Sequence, residues 1–493
     1  IDSFCLFVVR NHFEEIGLEP NFRIADQGEI KLLEMDVLNE VFEQEFLRAK
    51  ETAEMEADDF SGGDASTVFQ EKNTFLQLID AYSDKRSHKV VKDMVYKIYS
   101  QSSSSPWPKE WIASLVEPYQ VETAEKLRDT QMMQGIFDYV KAMLMDMPGR
   151  LEALREIALE PEGPTKYADT LSADIELFEG LDEINDFEAL GVFCLKLESS
   201  MKSLTAIRNF TGNTAKKDAV SNGRNALKKE IKDIRARYFS MSLEELVQQL
   251  KRMKPIAQEL VRLAHYYLET MEQKKEEKHL MDFSDIEHAA LRILIDEKTK
   301  ELRPTAYELK KQFEEIMIDE YQDSNQVQEE IMCAISLESE GRYNMFMVGD
   351  VKQGIYRFRL ARPELFMEKY ATYDLNDSNK QRIDLHKNFR SRKEVLDFTN
   401  DMFYKIMDTD LGNVAYDEEA VLNLGAEYPD VLGMQAEVLL FETEPMQEDG
   451  VRETAPATGN QPWTDEDNLT KRQLEARMIA EKIVEMKENL QKW

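Results

Sequence analysis

At residues 316–324 the sequence reads IMIDEYQDS, three apolar residues running straight into two adjacent carboxylates, Asp319 and Glu320, and then a polar stretch. Two acids at the end of a strand can divide one task. One offers oxygen ligands to Mg²⁺, while the other polarises an attacking water. Asp350 stands in a similar place, directly after the apolar run MFMVG. Ligands of open α/β sheets collect at the carboxyl ends of strands, so both positions are candidate sites by placement. Taken alone, an apolar run followed by two acids is equally compatible with capping of the next helix, and Gln322 and Asp323 fit that reading.

A second chemistry lies just downstream. Residues 342–393 hold 12 Lys and Arg against 6 Asp and Glu, the reverse of the balance in the whole chain. Aromatic side chains interleave with the basic ones in IYRFR (355–359). Stacking platforms inside a positive groove are how single strands are held without sequence readout. The plainer alternatives are a solvated basic face, and a strand that buries Tyr356 and Phe358 on one side. Over the full chain, 62 Lys and Arg face 96 Asp and Glu, a net charge of −34, which excludes broad wrapping of nucleic acid and leaves only a local groove.

The elements that must position these groups fall into two textures. Residues 11–280 are rich in Leu, Glu, Lys and Met at helical spacing, as in Leu243, Leu246, Val247, Leu250 and Met253, then Leu260, Val261, Leu263 and Ala264. Breaks are expected at DDFSGGDAS (58–66), SQSSSSPWPKEW (100–111) and EPEGPTKY (160–167). From residue 313 onward, short apolar runs alternate with helical patterns: IMI (316–318), MFMV (345–348), IDL (383–385) and AEVLLF (436–441). That alternation predicts a parallel sheet flanked by helices. Residues 444–470 read as a flexible loop before a last helix that begins at KRQLEARM (471–478).

With 493 residues, 42% of them apolar, the chain can bury several cores. No apolar run reaches the roughly 18 residues of a membrane span. Cys5, Cys194 and Cys333 stand far apart and form no metal-binding spacing, which fits a reducing cytoplasm. The six histidines show no ligand spacing either. Trp107, between two prolines, reads as a loop anchor.

At this point three segments carry a resemblance. IMIDEYQDSNQVQ (316–328), MVGDVKQGIYRFRLARP (347–363) and LHKNFRSRKEVLDFTN (385–400) resemble motifs II, III and IV of superfamily 1A helicases of the UvrD/Rep type, in the family's order. IDSFC (1–5) is similar to motif Ib and MDFSDIE (281–287) to motif Ic. The long helical insertion between those two motifs, with SFCLFVVRNHFEEIGLEPNFRIAD at its start and SSPWPKEWIASL inside it, resembles the AddA family, the helicase-nuclease subunits of bacterial AddAB complexes.

The resemblance implies an α/β fold: incomplete RecA-like parallel-sheet motor domains with a large, mostly α-helical inserted domain. Residues 1–10 and 281–375 would form part of the first motor domain, 11–280 the insertion, and 376–493 the opening of the second. ATP and Mg²⁺ are the implied cofactors. Asp319 would hold Mg²⁺, Glu320 would activate water, Gln353 would sense the γ-phosphate, and Arg390 would reach it as an arginine finger from the second motor domain. Ser3, Phe4, Asp282, Phe283, Tyr356, Phe358 and Arg359 would contact DNA. The implied partners are single-stranded and duplex-end DNA and an AddB-like nuclease subunit, in double-strand-break repair. The basic segment KKEIKDIRARY (228–238) is expected to touch duplex or partner, through Lys228, Lys229, Arg235 and Arg237.

The sequence also departs from the family. It contains no Gly-Lys dipeptide, hence no GxxxxGK[ST] loop to cradle phosphates, and Asp2 stands where motif Ib carries His. The expectation is a piece of a longer protein that, as it stands, turns over little ATP and has no nuclease activity. The alternatives are a single-subunit UvrD-like helicase and a non-catalytic scaffold that binds DNA or a partner.

Overall fold

The structure is a computed structural model that describes residues 1–59, 73–82, 88–376, 378–409, 414–429, 435–440 and 471–490, without the side chains of 53–59, 359, 471 and 489–490. The chain divides into two units, Ile1–Arg382 and Ile383–Trp493. Helix predominates, and the strands form short parallel pairs.

The helical spacing read in residues 243–264 becomes one 35-residue helix, Leu243–Glu277, about 52 Å long at 1.5 Å per residue. A capping box starts it. Ser242 Oγ accepts the Glu245 N–H at 3.2 Å, and the Glu245 carboxylate accepts the Ser242 N–H at 2.9 Å. Its first turns bury Leu243 and Val247 in a core with Leu144, Leu190 and Leu227. Its later turns bury Leu263, Tyr267 and Met271 in another core with Val37, Phe42, Leu78 and Val95. One helix therefore ties two helical cores together, and Met253, between them, is exposed.

In the first of those cores the basic segment 228–238 is only partly outward. Lys228 Nζ donates to the Met201 carbonyl at 2.5 Å, and Arg235 pairs with Glu198. Both groups are half-buried and take part in the protein's own contacts with the end of the helix Phe187–Ser200, while Lys229 and Arg237 are exposed.

Residues 23–24 and 280–281, far apart in sequence, lie side by side. Strand β1, Arg23–Ile24, pairs in parallel with β2, Leu280–Met281. Beside it, Lys275 Nζ sits 2.8 Å from both Asp282 Oδ2 and Asp285 Oδ2. Burial works to lower the Lys275 pKa, but Tyr99, Asp285 and Asp282 override it and hold the ammonium above the ordinary lysine range.

Cys5, Val8 and Val9 of the helix Asp2–His12 pack into a further core with Ala289, Ile293, Val327 and Ile331, from the helices Phe283–Leu294 and Gln326–Ile335. On this core lies β3, Ile316–Ile318, paired in parallel with β4, Met345–Met347. Ile316 and Ile318 are buried while Met317 is 70% exposed, the alternation a pleated strand produces.

In the second unit β5, Lys387–Asn388, pairs in parallel with β6, Asn423–Leu424, and the helices Lys393–Ile406 and Lys471–Leu490 follow. The runs at 383–385 and 436–440 form no strand, a correction to the sequence reading. A strand needs a neighbour to complete its hydrogen bonds; none reaches these runs among the described residues, and Leu385 is 85% exposed. The loop expected at 444–470 lies outside the described residues. No helix among the described residues is long and apolar enough to cross a membrane.

Candidate functional site

The β3–β4 ladder sets the geometry. Val348 N–H donates to the Ile318 carbonyl at 2.8 Å, and the Tyr321 N–H donates to the Val348 carbonyl at 2.9 Å. The two strand ends are thus held side by side, with Asp319 and Glu320 leaving β3 and Gly349 and Asp350 leaving β4. Between them the backbone turns sharply. Glu320 sits at φ 52° and ψ 44°, in the left-handed region, although it carries a full side chain. Such a conformation costs about 1–3 kcal/mol and persists where neighbours over-determine it, as at catalytic turns.

Those neighbours can be named. Gln322 is 1% exposed, its Nε2 donates to Glu320 Oε2 at 2.6 Å, and its Oε1 accepts the Asp350 N–H at 3.0 Å. Tyr321, equally buried, donates its hydroxyl to Glu329 and stacks edge-on against Phe366, with ring centroids 5.6 Å apart. Gly349 packs closely on this amide, because a Cβ there would lie 2.5 Å from Gln322 Oε1 and would have to displace it. Gln322 does not cap the following helix. That role falls to Asn325, whose side chain accepts the Gln328 N–H at 2.8 Å in a capping box. Asn325 followed three residues later by Gln328 is itself a sequence signature, and it could have freed Gln322 for another role.

Asp319 is exposed, and its Oδ1 accepts the Glu320 N–H at 3.0 Å. No other donor reaches it among the described residues, so its second oxygen can serve a cation. No cluster of three or more His, Cys, Asp or Glu residues suited to a metal occurs among the described residues. From the β4 side, Asp350 accepts Gln353 Nε2 at 3.0 Å and pairs with Lys352 Nζ at 3.0 Å. The hydrogen-bonded series therefore runs Glu320, Gln322, Asp350, Gln353, and three of these four are exposed or half-buried while Gln322 is sealed inside.

The aromatic pair takes neither a strand nor a core. Tyr356 and Phe358 lie in a single 3₁₀ turn, Tyr356–Arg359, with ring centroids 5.7 Å apart, and Phe358 is 75% exposed. The Arg359 side chain lies outside the described residues. Arg390 belongs to the second unit, on a turn where Asn388 Oδ1 accepts its N–H at 3.0 Å; its guanidinium has no acidic partner among the described residues.

The upstream candidates divide. Phe283 is exposed at the start of its helix, and Ser3 is exposed on the helix Asp2–His12. Phe4 is half-buried, its ring 5.9 Å from that of Phe313. Asp282 turns its carboxylate to Lys275 and to the Asp285 N–H, at 2.8 and 2.9 Å, and thereby starts the helix that carries Phe283. His288 of the same helix bridges the carbonyls of Ser284 and Ser105, at 2.8 and 2.9 Å, a structural tie. Trp107 packs on the core beneath β3, with the Lys300 ammonium 3.4 Å from its ring centre, as an anchor does.

One residue that sequence reading passed over is Glu287. It is buried and accepts Asn325 Nδ2 at 3.2 Å and Gln328 Nε2 at 2.6 Å, joining the helix Phe283–Leu294 to the cap after Asp319 and Glu320. Burial raises its carboxyl above the ordinary 4.5. The folded state therefore keeps this proton to higher pH than the unfolded chain, and stability from this group falls as pH rises from about 4.5 through the raised value. Glu287→Leu is expected to cost about 1–3 kcal/mol by stranding two amide donors. Glu287→Gln, which keeps an acceptor, should cost less and flatten that part of the pH–stability curve; urea unfolding at several pH values checks both.

Residues 1–374, the greater part of the chain, match the family of the UvrD/REP helicase N-terminal domain. The chain belongs to the UvrD/REP helicase family. Its similarity to curated proteins runs along almost its whole length. It is 38% identical over 99% of its residues to the A-subunit of the ATP-dependent helicase/nuclease of Lachnoclostridium phytofermentans, covering 35% of that protein. The proteins of the same name from Bacillus pumilus and Listeria monocytogenes are 35% and 33% identical over 99% of the chain, and 37% of each is covered. The chain thus spans little more than a third of the length of these relatives. The motif II, III and Ic resemblances fall inside the region matched to the UvrD/REP family, and the AddA resemblance agrees with the relatives' printed names.

Proposed function

We propose that this UvrD/REP-family chain is the motor portion of an AddA-type helicase/nuclease, in which ATP hydrolysis drives 3′–5′ translocation on single-stranded DNA during double-strand-break repair and recombination. The observation that carries the reading is the linkage of Glu320 through Gln322 and Asp350 to Gln353 at adjoining parallel-strand ends. It joins a carboxylate able to take a proton from water to an amide able to read a phosphate.

In this reading residues 1–10 and 281–375 belong to a first RecA-like motor domain, 11–280 to the helical insertion, and 376–493 to the second motor domain. MgATP is the substrate, and Asp319 supplies a carboxylate oxygen to its Mg²⁺, which neutralises phosphate charge. Glu320 holds and deprotonates the attacking water at its carboxylate, Gln353 donates its amide N–H to the γ-phosphate, and Arg390 supplies positive charge there. Tyr356 and Phe358, in the 3₁₀ turn that follows Gln353 after two residues, stack on bases, with Arg359, Phe283, Phe4 and Ser3 along the strand. Asp282 serves by holding Phe283 in place. The proposed partners are duplex-end DNA and an AddB-like nuclease.

The test is ATP hydrolysis by the natural full-length polypeptide with its partner, with and without single-stranded DNA. Turnover should rise with DNA. Phe358→Ala should weaken strand binding roughly ten- to a hundredfold, the equivalent of about 1–3 kcal/mol of base stacking. Hydrolysis that ignores DNA, or a Phe358→Ala protein with unchanged affinity, would overturn the reading.

A further inference from the structure

Gln322 is the least exposed polar group at the site, and its hydrogen bonds leave no freedom in how its amide is oriented. The Asp350 backbone N–H can only donate, so the atom facing it must be the amide oxygen. The amide nitrogen then faces Glu320 Oε2 at 2.6 Å and must donate to it. Among the described residues no other side chain donates to the Glu320 carboxylate, so its second oxygen is the one left for a water. Glu320 is exposed, so the Gln322 amide is what fixes the direction of its side chain.

On this basis, and resting on the ATPase reading above, we propose that Gln322 is a positioning residue: it aims the Glu320 carboxylate at the attacking water and couples that aim to the Asp350–Gln353 turn. A shift of Gln353 on meeting phosphate moves Asp350, whose N–H grips one end of the Gln322 amide while Glu320 grips the other. A side chain of another length or charge breaks one grip. Gln322→Glu cannot donate to Glu320 and sets two carboxylates together, and Gln322→Met keeps the volume and loses both hydrogen bonds.

Gly349 offers an independent handle. A Cβ at this position would meet Gln322 Oε1 at 2.5 Å, Phe366 at 3.2 Å and the Tyr321 nitrogen at 3.3 Å. The Gln322 side-chain end is the softest of the three. Gly349→Ala therefore displaces the amide without changing its chemistry.

The experiment is steady-state ATP hydrolysis by the full-length protein with its partner and saturating single-stranded DNA, for Gln322→Met, Gln322→Glu, Gly349→Ala, Glu320→Gln and the Glu320→Gln/Gln322→Met double variant. Support of an outer group for a reacting one is typically worth 10- to 100-fold, so kcat should fall by about that factor in the first three, with the KM for ATP unchanged. Because Gln322 acts through Glu320, the double variant should be no slower than Glu320→Gln alone. A merely structural role predicts additive losses and altered melting, and that result overturns the proposal. So does full kcat in the Gln322 variants while Glu320→Gln is inactive. If Glu320→Gln itself turns over normally, the ATPase reading fails first and the inference falls with it.

Discussion

Glu320→Gln should slow DNA-stimulated ATP hydrolysis about a hundred- to ten-thousand-fold, the usual worth of a positioned general base, while leaving MgATP binding intact. The substitution is close to isosteric. The new amide oxygen can still accept from Gln322 Nε2, which reaches Glu320 Oε2 at 2.6 Å, so the local geometry survives. What is lost is the ability to take a proton. Asp319, with its own oxygen free for Mg²⁺, is untouched, so nucleotide affinity and hydrolysis separate in this variant. Asp319→Asn should behave in the opposite way, raising the Mg²⁺ needed for half-maximal turnover. The discriminating measurement is single-turnover hydrolysis beside equilibrium nucleotide binding. A Glu320→Gln protein within a few-fold of the unmodified rate leaves the paired acids as a turn and nothing more.

The backbone adds a second control at the same position. Glu320 carries a left-handed φ of 52°, a conformation glycine adopts without penalty. Glu320→Gly should therefore be inactive and yet no less stable than the unmodified protein. Loss of turnover with retained or improved melting would place the strain at this turn in the service of chemistry rather than of folding.

What could be read before the structure was known depended on how local each signal is. β3 was legible because Ile316–Ile318 is apolar and ends in acids, and the helix Leu243–Glu277 because its apolar spacing recurs within a few residues. Gln322 was not. Its role exists only once β3 and β4 pair in parallel and bring Asp350 to it across 28 positions. Glu287 is similar, its partners lying 38 and 41 positions away. The runs at 383–385 and 436–440 show the opposite error, since β-forming composition does not suffice without a neighbouring strand. For Lys228 and Arg235, likewise, nothing local reveals the Met201 carbonyl and Glu198 that they meet.

The largest stability effect should come from the helical region, where Asp174 and Arg224 form an ion pair with side chains only 4% and 1% exposed. Arg224 Nε and Nη2 reach the two Asp174 oxygens at 2.5 and 3.1 Å, and Nη2 also reaches the Lys202 carbonyl at 2.5 Å. Asp174→Ala strands the guanidinium with one carbonyl partner, which in a buried setting costs about 3–5 kcal/mol, a large part of the roughly 5–15 kcal/mol a domain has. The paired replacement Asp174→Leu with Arg224→Met removes both charges together. It should recover most of the loss, because Lys202 is exposed and its carbonyl can turn to water. Urea unfolding followed by far-ultraviolet circular dichroism separates the cases. If the single and double variants unfold at the same urea concentration, the pair contributes shape and not charge compensation. Hydrolysis per folded molecule should stay unchanged in all of them, because this pair belongs to the core of Leu144, Leu190 and Leu227, whereas the site rests on the core of Ile316, Ile318 and Val327.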